Sequence, residues 1–196
     1  MNQPSTLPPS QPIALKDLYS VESLDGFKKI EIVDGEWYLT EKEYYSRPEF
    51  RMTLIQTKLM VALGTHIRLN KLGKLLSGGL GFVLEGHHNA IQLMRRTDIA
   101  FVRKENLAVN VYEPYYSAPD IAVFILKEGA HEGMLRRIND FLTHGTKQVW
   151  IAYAESQQII IHMADDTSKT YDIDDKIIGG ELLNGFVLEV SKVFET

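Results

Sequence analysis

The stretch Ile121–Leu126, Ile-Ala-Val-Phe-Ile-Leu, is apolar at every position. A strand with one wet face alternates, so an unbroken apolar run of this length reads as a strand buried on both faces. Such a strand needs a layer above and a layer below it. The sequence that follows offers one, because Leu135, Ile138, Phe141 and Leu142 form an apolar stripe at helical spacing that closes at Gly145, a residue suited to a helix stop. A second apolar run at 149–153 then completes a strand–helix–strand crossover, which places the two runs parallel in one sheet.

Upstream, residues 51–72 contain no turn signal. Leu59, Leu63 and Ile67, with Met60 on their flank, recur at three- and four-residue steps up to Gly73, predicting a long helix. Asp34-Gly35 between the short apolar runs 30–33 and 37–39 predicts a tight hairpin, since glycine accepts positive φ. Further strands are predicted at 75–84, 91–102, 119–126, 158–163 and 186–190. The fold class is α/β or α+β, with a central mixed sheet flanked by helices.

The 196 residues, 44% hydrophobic and 24% charged, suit one globular domain. Residues 1–14, rich in Pro, Ser and Gln at their start, read as a flexible N-terminal arm, and 15–196 as a single domain. There is no Cys, which excludes disulfide frameworks, thiolate-bound zinc, iron–sulfur clusters and thiol nucleophiles. A cytoplasmic setting is the default for such a chain. No apolar run approaches the roughly 20 residues of a membrane span, and the N-terminus has no secretory pattern. The net charge of −5 is unlike that of a nonspecific polyphosphate binder, so any nucleic-acid contact must be local.

The chain carries no G-x-S-x-G elbow, no phosphate-binding Walker loop and no H-E-x-x-H. Gly78, Gly79 and Gly81 read as a bulge or close packing, because no helix start follows them. His87-His88 reads as a solvated turn, and His66, His131, His144 and His162 have no spacing that brings them together. Asp98 interrupts an apolar strand, where a carboxylate needs a pairing cation, solvent or a bound metal. Asp120, after Pro119, serves either turn chemistry or catalysis. The basic pairs Lys28-Lys29, Arg95-Arg96, Arg103-Lys104 and Arg136-Arg137, with His66, Arg68, Lys71 and Lys74, form either a solvated rim or a phosphate-binding groove. Tyr112, Tyr115 and Tyr116 either cover a sheet edge or stack on bases.

Five segments together resemble a bacterial family: Glu31-Ile32-Val33-Asp34-Gly35-Glu36, Arg96-Thr97-Asp98-Ile99-Ala100-Phe101-Val102, Pro119-Asp120-Ile121-Ala122-Val123, Gly145 through Trp150-Ile151, and Leu183-Asn184-Gly185-Phe186. In order and spacing, from about residue 27 to 194, they are similar to the Uma-two family of inferred restriction endonucleases, a former domain of unknown function assigned to the PD-(D/E)XK nuclease superfamily. The resemblance implies a restriction-endonuclease-like core that holds Mg²⁺ or Mn²⁺ between carboxylates and cleaves DNA, with a homodimer suggested by two-strand cleavage. Asp98 matches the family's first metal-binding Asp, and Glu31 an acidic position often near the site. Arg95, Arg96 and Lys127 become candidates for binding the substrate phosphate, and Arg137 stands where many members carry a basic catalytic residue.

The pattern departs in three places. Thr97 replaces a proline, Arg137 can clamp a phosphate but is a poor proton acceptor, and the metal-binding Glu four residues after Asp120 is Phe124. Glu128 is the nearby carboxylate that would have to serve as a second metal ligand. The first expectation is therefore a nuclease-fold protein with impaired or lost cleavage and no cofactor. The alternatives are an active Mg²⁺-dependent endonuclease, using Asp98 with Glu31 or Glu128 and Arg137 or Lys127 near the phosphate, and a non-catalytic binding or assembly module.

Overall fold

A computed structural model describes residues 13, 14, 17, 30–39, 50–77, 79–107, 115–128 and 132–195. Residues 1–12 of the arm expected at 1–14, together with Lys28, Lys29, Tyr112 and His131, lie outside the described residues. The hairpin forms as predicted, with β1 at Ile30–Val33, β2 at Glu36–Leu39 and both turn residues, Asp34 and Gly35, at positive φ. The long helix α1 spans Phe50–Leu69, and is followed by β3 (Gly73–Ser77), β4 (Gly81–His87), β5 (Ala90–Arg96), β6 (Ile99–Arg103) and β7 (Ile121–Leu126). Helix α2 (Glu132–Thr143) crosses over to β8 (Gln148–Tyr153), and β9 (Gln158–Met163) and β10 (Ser168–Tyr171) follow. The chain ends with β11 (Lys176–Ile178), β12 (Val187–Glu189) and a short α3 (Val190–Phe194).

Six strands form the central sheet in the order β10-β9-β8-β7-β6-β3, mixed because β7 and β8 pair parallel while their neighbours pair antiparallel. All six residues of β7 are buried, as an apolar run at the middle of a covered sheet should be. Ile121, Val123 and Ile125 face α1, meeting Ile55, Leu59, Leu63 and Ile67. Ala122, Phe124 and Leu126 face α2, meeting Met134, Ile138 and Phe141. The expected stripe on α2 is corrected by one residue: Leu135 is 54% exposed, and Met134, in phase with Ile138 and Phe141, is buried in its place.

Two predicted long strands each break in two. Residues 75–84 divide into β3 and β4, and 91–102 into β5 and β6, because the chain leaves the central sheet after β3 and returns before β6. The excursion, β4 and β5, joins the N-terminal hairpin in a second sheet of order β2-β1-β5-β4. Gly79 turns at φ 73° on the way out, and the Arg96 guanidinium donates to its carbonyl, tying exit to return. On the way back the Thr97 hydroxyl bonds the Val123 carbonyl at 2.7 Å, which ends β5 and seats β6 beside β7. Past the Asp34-Gly35 turn, β1 no longer covers β5, and Ile13 fills the gap: Ile91 N–H donates to the Ile13 carbonyl at 2.9 Å. Ile13 is 5% exposed and packs with Ile30, Ile32 and Met94, so the packed chain includes a residue assigned to the arm.

Helix α2 closes as expected, with Gly145 at positive φ and Thr146 N–H reaching back to the Phe141 carbonyl at 3.0 Å. Helix α1 does not use the expected Gly73. Lys71 takes the left-handed position at φ 54°, and Leu72 N–H bonds the Ile67 carbonyl at 3.0 Å. Gly73 meets a different demand: a Cβ there would sit 2.1 Å from the Val102 carbonyl oxygen across the β3–β6 ladder. In urea unfolding, Lys71→Gly is expected to stabilise the protein by about 1 kcal/mol. Gly73→Ala is expected to destabilise it by about 3 kcal/mol.

Candidate active site

Every residue of β1 is buried, including Glu31 at 1% exposure. Its neighbours Ile30 and Ile32 pack within the small sheet, while alternation along the strand turns Glu31 toward α2. There it meets two guanidinium groups. Arg95, from β5, donates to Oε2 at 2.8 Å, and Arg137, from α2, donates from Nε at 3.1 Å to the same oxygen. The backbone N–H of Arg96 adds a bond to Oε1 at 3.1 Å. The far edge of Arg95 is held by Asp140, one turn after Arg137, whose Oδ2 accepts from Nε at 2.8 Å and Nη2 at 2.6 Å. Two carboxylates and two guanidiniums thus form a neutral, buried cluster that joins the small sheet to α2.

Asp140 escaped the sequence reading. Its three-residue spacing from Arg137 on an amphipathic helix was visible, but its partner Arg95 is 45 residues away in the chain. Arg96 is also engaged, donating to the Ile30 carbonyl at 2.9 Å as well as to Gly79. Arg136 points elsewhere, to Asp34 at 2.7 Å on the surface.

Asp98 immediately precedes β6, half-buried. Its N–H donates to the Val123 carbonyl at 3.1 Å, and its Oδ2 accepts from the Ile125 N–H at 2.9 Å. Asp98 therefore brackets Phe124, and the ladder register, with Ile99 opposite Val123, places the two residues side by side on the face under α2. Phe124 is fully buried, its ring 5.8 Å from that of Phe141. Glu128 stands two residues beyond the end of β7, where a hydrogen bond shared with Glu155 raises its pKa above the usual carboxylate range. Lys127 approaches the same Glu155 at 3.6 Å.

A divalent cation needs several open oxygen ligands. Phe124 supplies none, Glu31 is saturated by two arginines and a backbone N–H, and Glu128 is turned to Glu155. Among the described residues no three carboxylate or imidazole groups converge on a point that could hold a metal ion. The donor set does not fit the cation that the resemblance implies.

The other candidates have structural positions. Asp120 is 3% exposed, accepting from the Arg103 N–H and Nε at 2.7 Å each and from Asn106 at 3.0 Å, which raises the Arg103 pKa further. Tyr115 is buried against Phe82 at 5.7 Å and donates to the Asn106 carbonyl, covering the sheet edge. His87, the last residue of β4, and His88, in the turn after it, are exposed. His66 packs edge-on against Phe186 at 5.3 Å, and His144 bonds the Asp140 carbonyl at 2.7 Å.

Removing one member of a buried ion cluster strands the others, so Glu31→Gln is expected to cost about 3–5 kcal/mol in denaturant unfolding. Arg137→Met should cost less, because Arg95 and the Arg96 N–H still serve Glu31. A double-mutant cycle on Glu31 and Arg137 should return a coupling of about 1–3 kcal/mol.

No family model matches the chain, and no curated protein matches it. Among solved structures, it is similar to the crystal structure of "a putative nuclease belonging to DUF820" from Anabaena variabilis ATCC 29413. The two superpose with a TM-score of 0.72 at 14% identity, over 93% of this chain and 98% of the other. Identity at that level speaks for architecture and not for chemistry. With its central mixed sheet between α1 and α2, the chain has the fold of that DUF820 protein, the fold that the resemblance to the Uma-two family implied.

Proposed function

We infer that this is a restriction-endonuclease-fold protein with DNA as its partner class and with a hydrolytic centre that no longer cleaves. One observation carries the reading: Asp98 bonds the backbone on both sides of Phe124, so the side chain beside the Asp that matches the family's first metal-binding position is a buried aromatic ring. Phe124 contributes apolar burial on the order of 2 kcal/mol where a second carboxylate would repel the first. The arginine-saturated Glu31 supports the same conclusion, since a carboxylate held by two guanidiniums is not open to a metal. No helix among the described residues is long and apolar enough to cross a membrane.

The test is nicking of supercoiled plasmid in Mg²⁺ or Mn²⁺, with chelator and Asp98→Ala as controls. The expected result is no nicking above buffer. Metal-dependent nicking that disappears in Asp98→Ala would overturn the reading in favour of an active enzyme with Mg²⁺ or Mn²⁺ on Asp98 and Glu31 or Glu128. As a second measurement, Mn²⁺ should raise the melting temperature of Phe124→Glu while leaving that of the wild type unchanged.

A further inference from the structure

Two short segments singled out by their charge, one around Arg68, Lys71 and Lys74 and the other at Arg103-Lys104, come together at one end of the central sheet. Arg68 lies in the last turn of α1 and Lys71 in the turn that ends it, where Lys71 N–H bonds the Arg68 carbonyl at 3.3 Å. Lys104 N–H bonds the Leu72 carbonyl at 2.9 Å, which sets the 3₁₀ turn after β6 against the α1–β3 connection. Lys74 lies opposite Val102, and Gly73 opposite Arg103. Lys147 enters β8 at the same end, its N–H on the Asp120 carbonyl at 2.9 Å. Arg68, Lys71, Lys74, Lys104 and Lys147 are all exposed, and no acidic group pairs with them among the described residues.

The strands at this end run β8, β7, β6, β3. At about 4.8 Å between strands, the cations from Lys147 to Lys74 span about 15 Å. A duplex carries one charge per about 3.4 Å of helix axis on each strand, so the row spans about four base-pair steps. Among the described residues, the nearby acidic groups are engaged: Asp120 is buried with its oxygens taken, and Glu105 is held by Arg103 at 3.0 Å. The turn carrying Asp165 and Asp166 bounds the row beyond Lys147, where Ala164 N–H bonds the Lys147 carbonyl at 3.2 Å. The α1 dipole accounts for Arg68 and Lys71 at a helix C-terminus, but not for Lys74, Lys104 or Lys147, which lie on or beside strands. The five side chains of the row are all Lys or Arg, the groups that contact backbone phosphates.

Asp98 immediately precedes β6 and Arg103 closes it, which sets the row about 17 Å from Asp98 at the opposite end of the sheet. We propose that the protein binds the phosphate backbone of a nucleic-acid duplex along this row, remote from the Asp98–Phe124 centre. The proposal shares its partner class with the function inferred above and is independent of whether the centre cleaves.

The experiment is fluorescence anisotropy with a labelled 20-base-pair DNA duplex at roughly 50 and 200 mM NaCl, a range over which phosphate contacts weaken steeply. The row variant is Lys71→Glu/Lys74→Glu/Lys104→Glu, and Lys169→Glu/Lys176→Glu/Lys192→Glu is an equal charge change elsewhere on the exposed surface. Melting temperatures confirm that both remain folded. The row variant is expected to bind at least about tenfold more weakly at low salt, with a salt slope smaller by about three, while the control stays within about threefold. Equal loss in both variants, or no loss in the row variant, overturns the proposal. So does displacement by polyglutamate as effective as by unlabelled duplex at equal charge, which would make the partner an acidic protein. Loss confined to Lys127→Glu/Arg136→Glu would move DNA to the Asp98 end, sinking this proposal while sparing DNA as the partner. No wild-type binding at low salt would sink both, whatever the plasmid shows.

Discussion

The buried cluster of Glu31, Arg95, Arg137 and Asp140 is the contact on which the relation between the two sheets depends. The small sheet is an excursion between two strands of the large one, and strand pairing alone does not fix how it leans on α2. A neutral set of four charges at 2.6–3.3 Å does, because each charge buried away from water must find its partner in one geometry. Arg96 adds to this by bonding the Ile30 and Gly79 carbonyls at the points where the excursion begins and ends.

That structural role bears directly on chemistry. Of the residues that the resemblance would place around a cation, Glu31 and Arg137 satisfy each other, and Asp98 accepts from the Ile125 N–H. A guanidinium supplies positive charge without open coordination sites, and Phe124 supplies packing without oxygen. The cluster that holds Glu31 and Arg137 is a well-packed joint between layers. The end of the central sheet at Asp120 has the reverse character: Asp120 is buried and capped, while the lysines around it remain in water.

Much of the fold could be read in the sequence where the signal was local. The apolar run of β7, the i, i+4 stripe of Leu59, Leu63 and Ile67, the Asp34-Gly35 turn and the Gly145 stop each rest on periodicity or backbone conformation within a few residues. The splitting of 75–84 and 91–102 into strands of different sheets was not legible, because continuous β propensity does not say where a chain changes sheets. β10, with the polar sequence Ser-Lys-Thr-Tyr, was missed because an edge strand with three exposed residues has no hydrophobic alternation. Lys71 in the left-handed position of the α1 terminus was missed because Gly73 offered the stronger local signal, while tertiary packing needed that glycine against Val102.

By itself, the sequence determined that a doubly covered strand would lie at the middle of a mixed sheet, that no thiol chemistry was available, and that an aromatic ring stood where the resemblance calls for a carboxylate. Only the tertiary structure decided what the charged residues do. Glu31, Arg95, Arg137 and Asp140 come from β1, β5 and α2, and Lys74, Lys104 and Lys147 from three different strand ends. Apolar patterning is set by neighbours along the chain, whereas a charge takes its role from whichever opposite charge or solvent the folded chain brings to it, and that meeting is long-range.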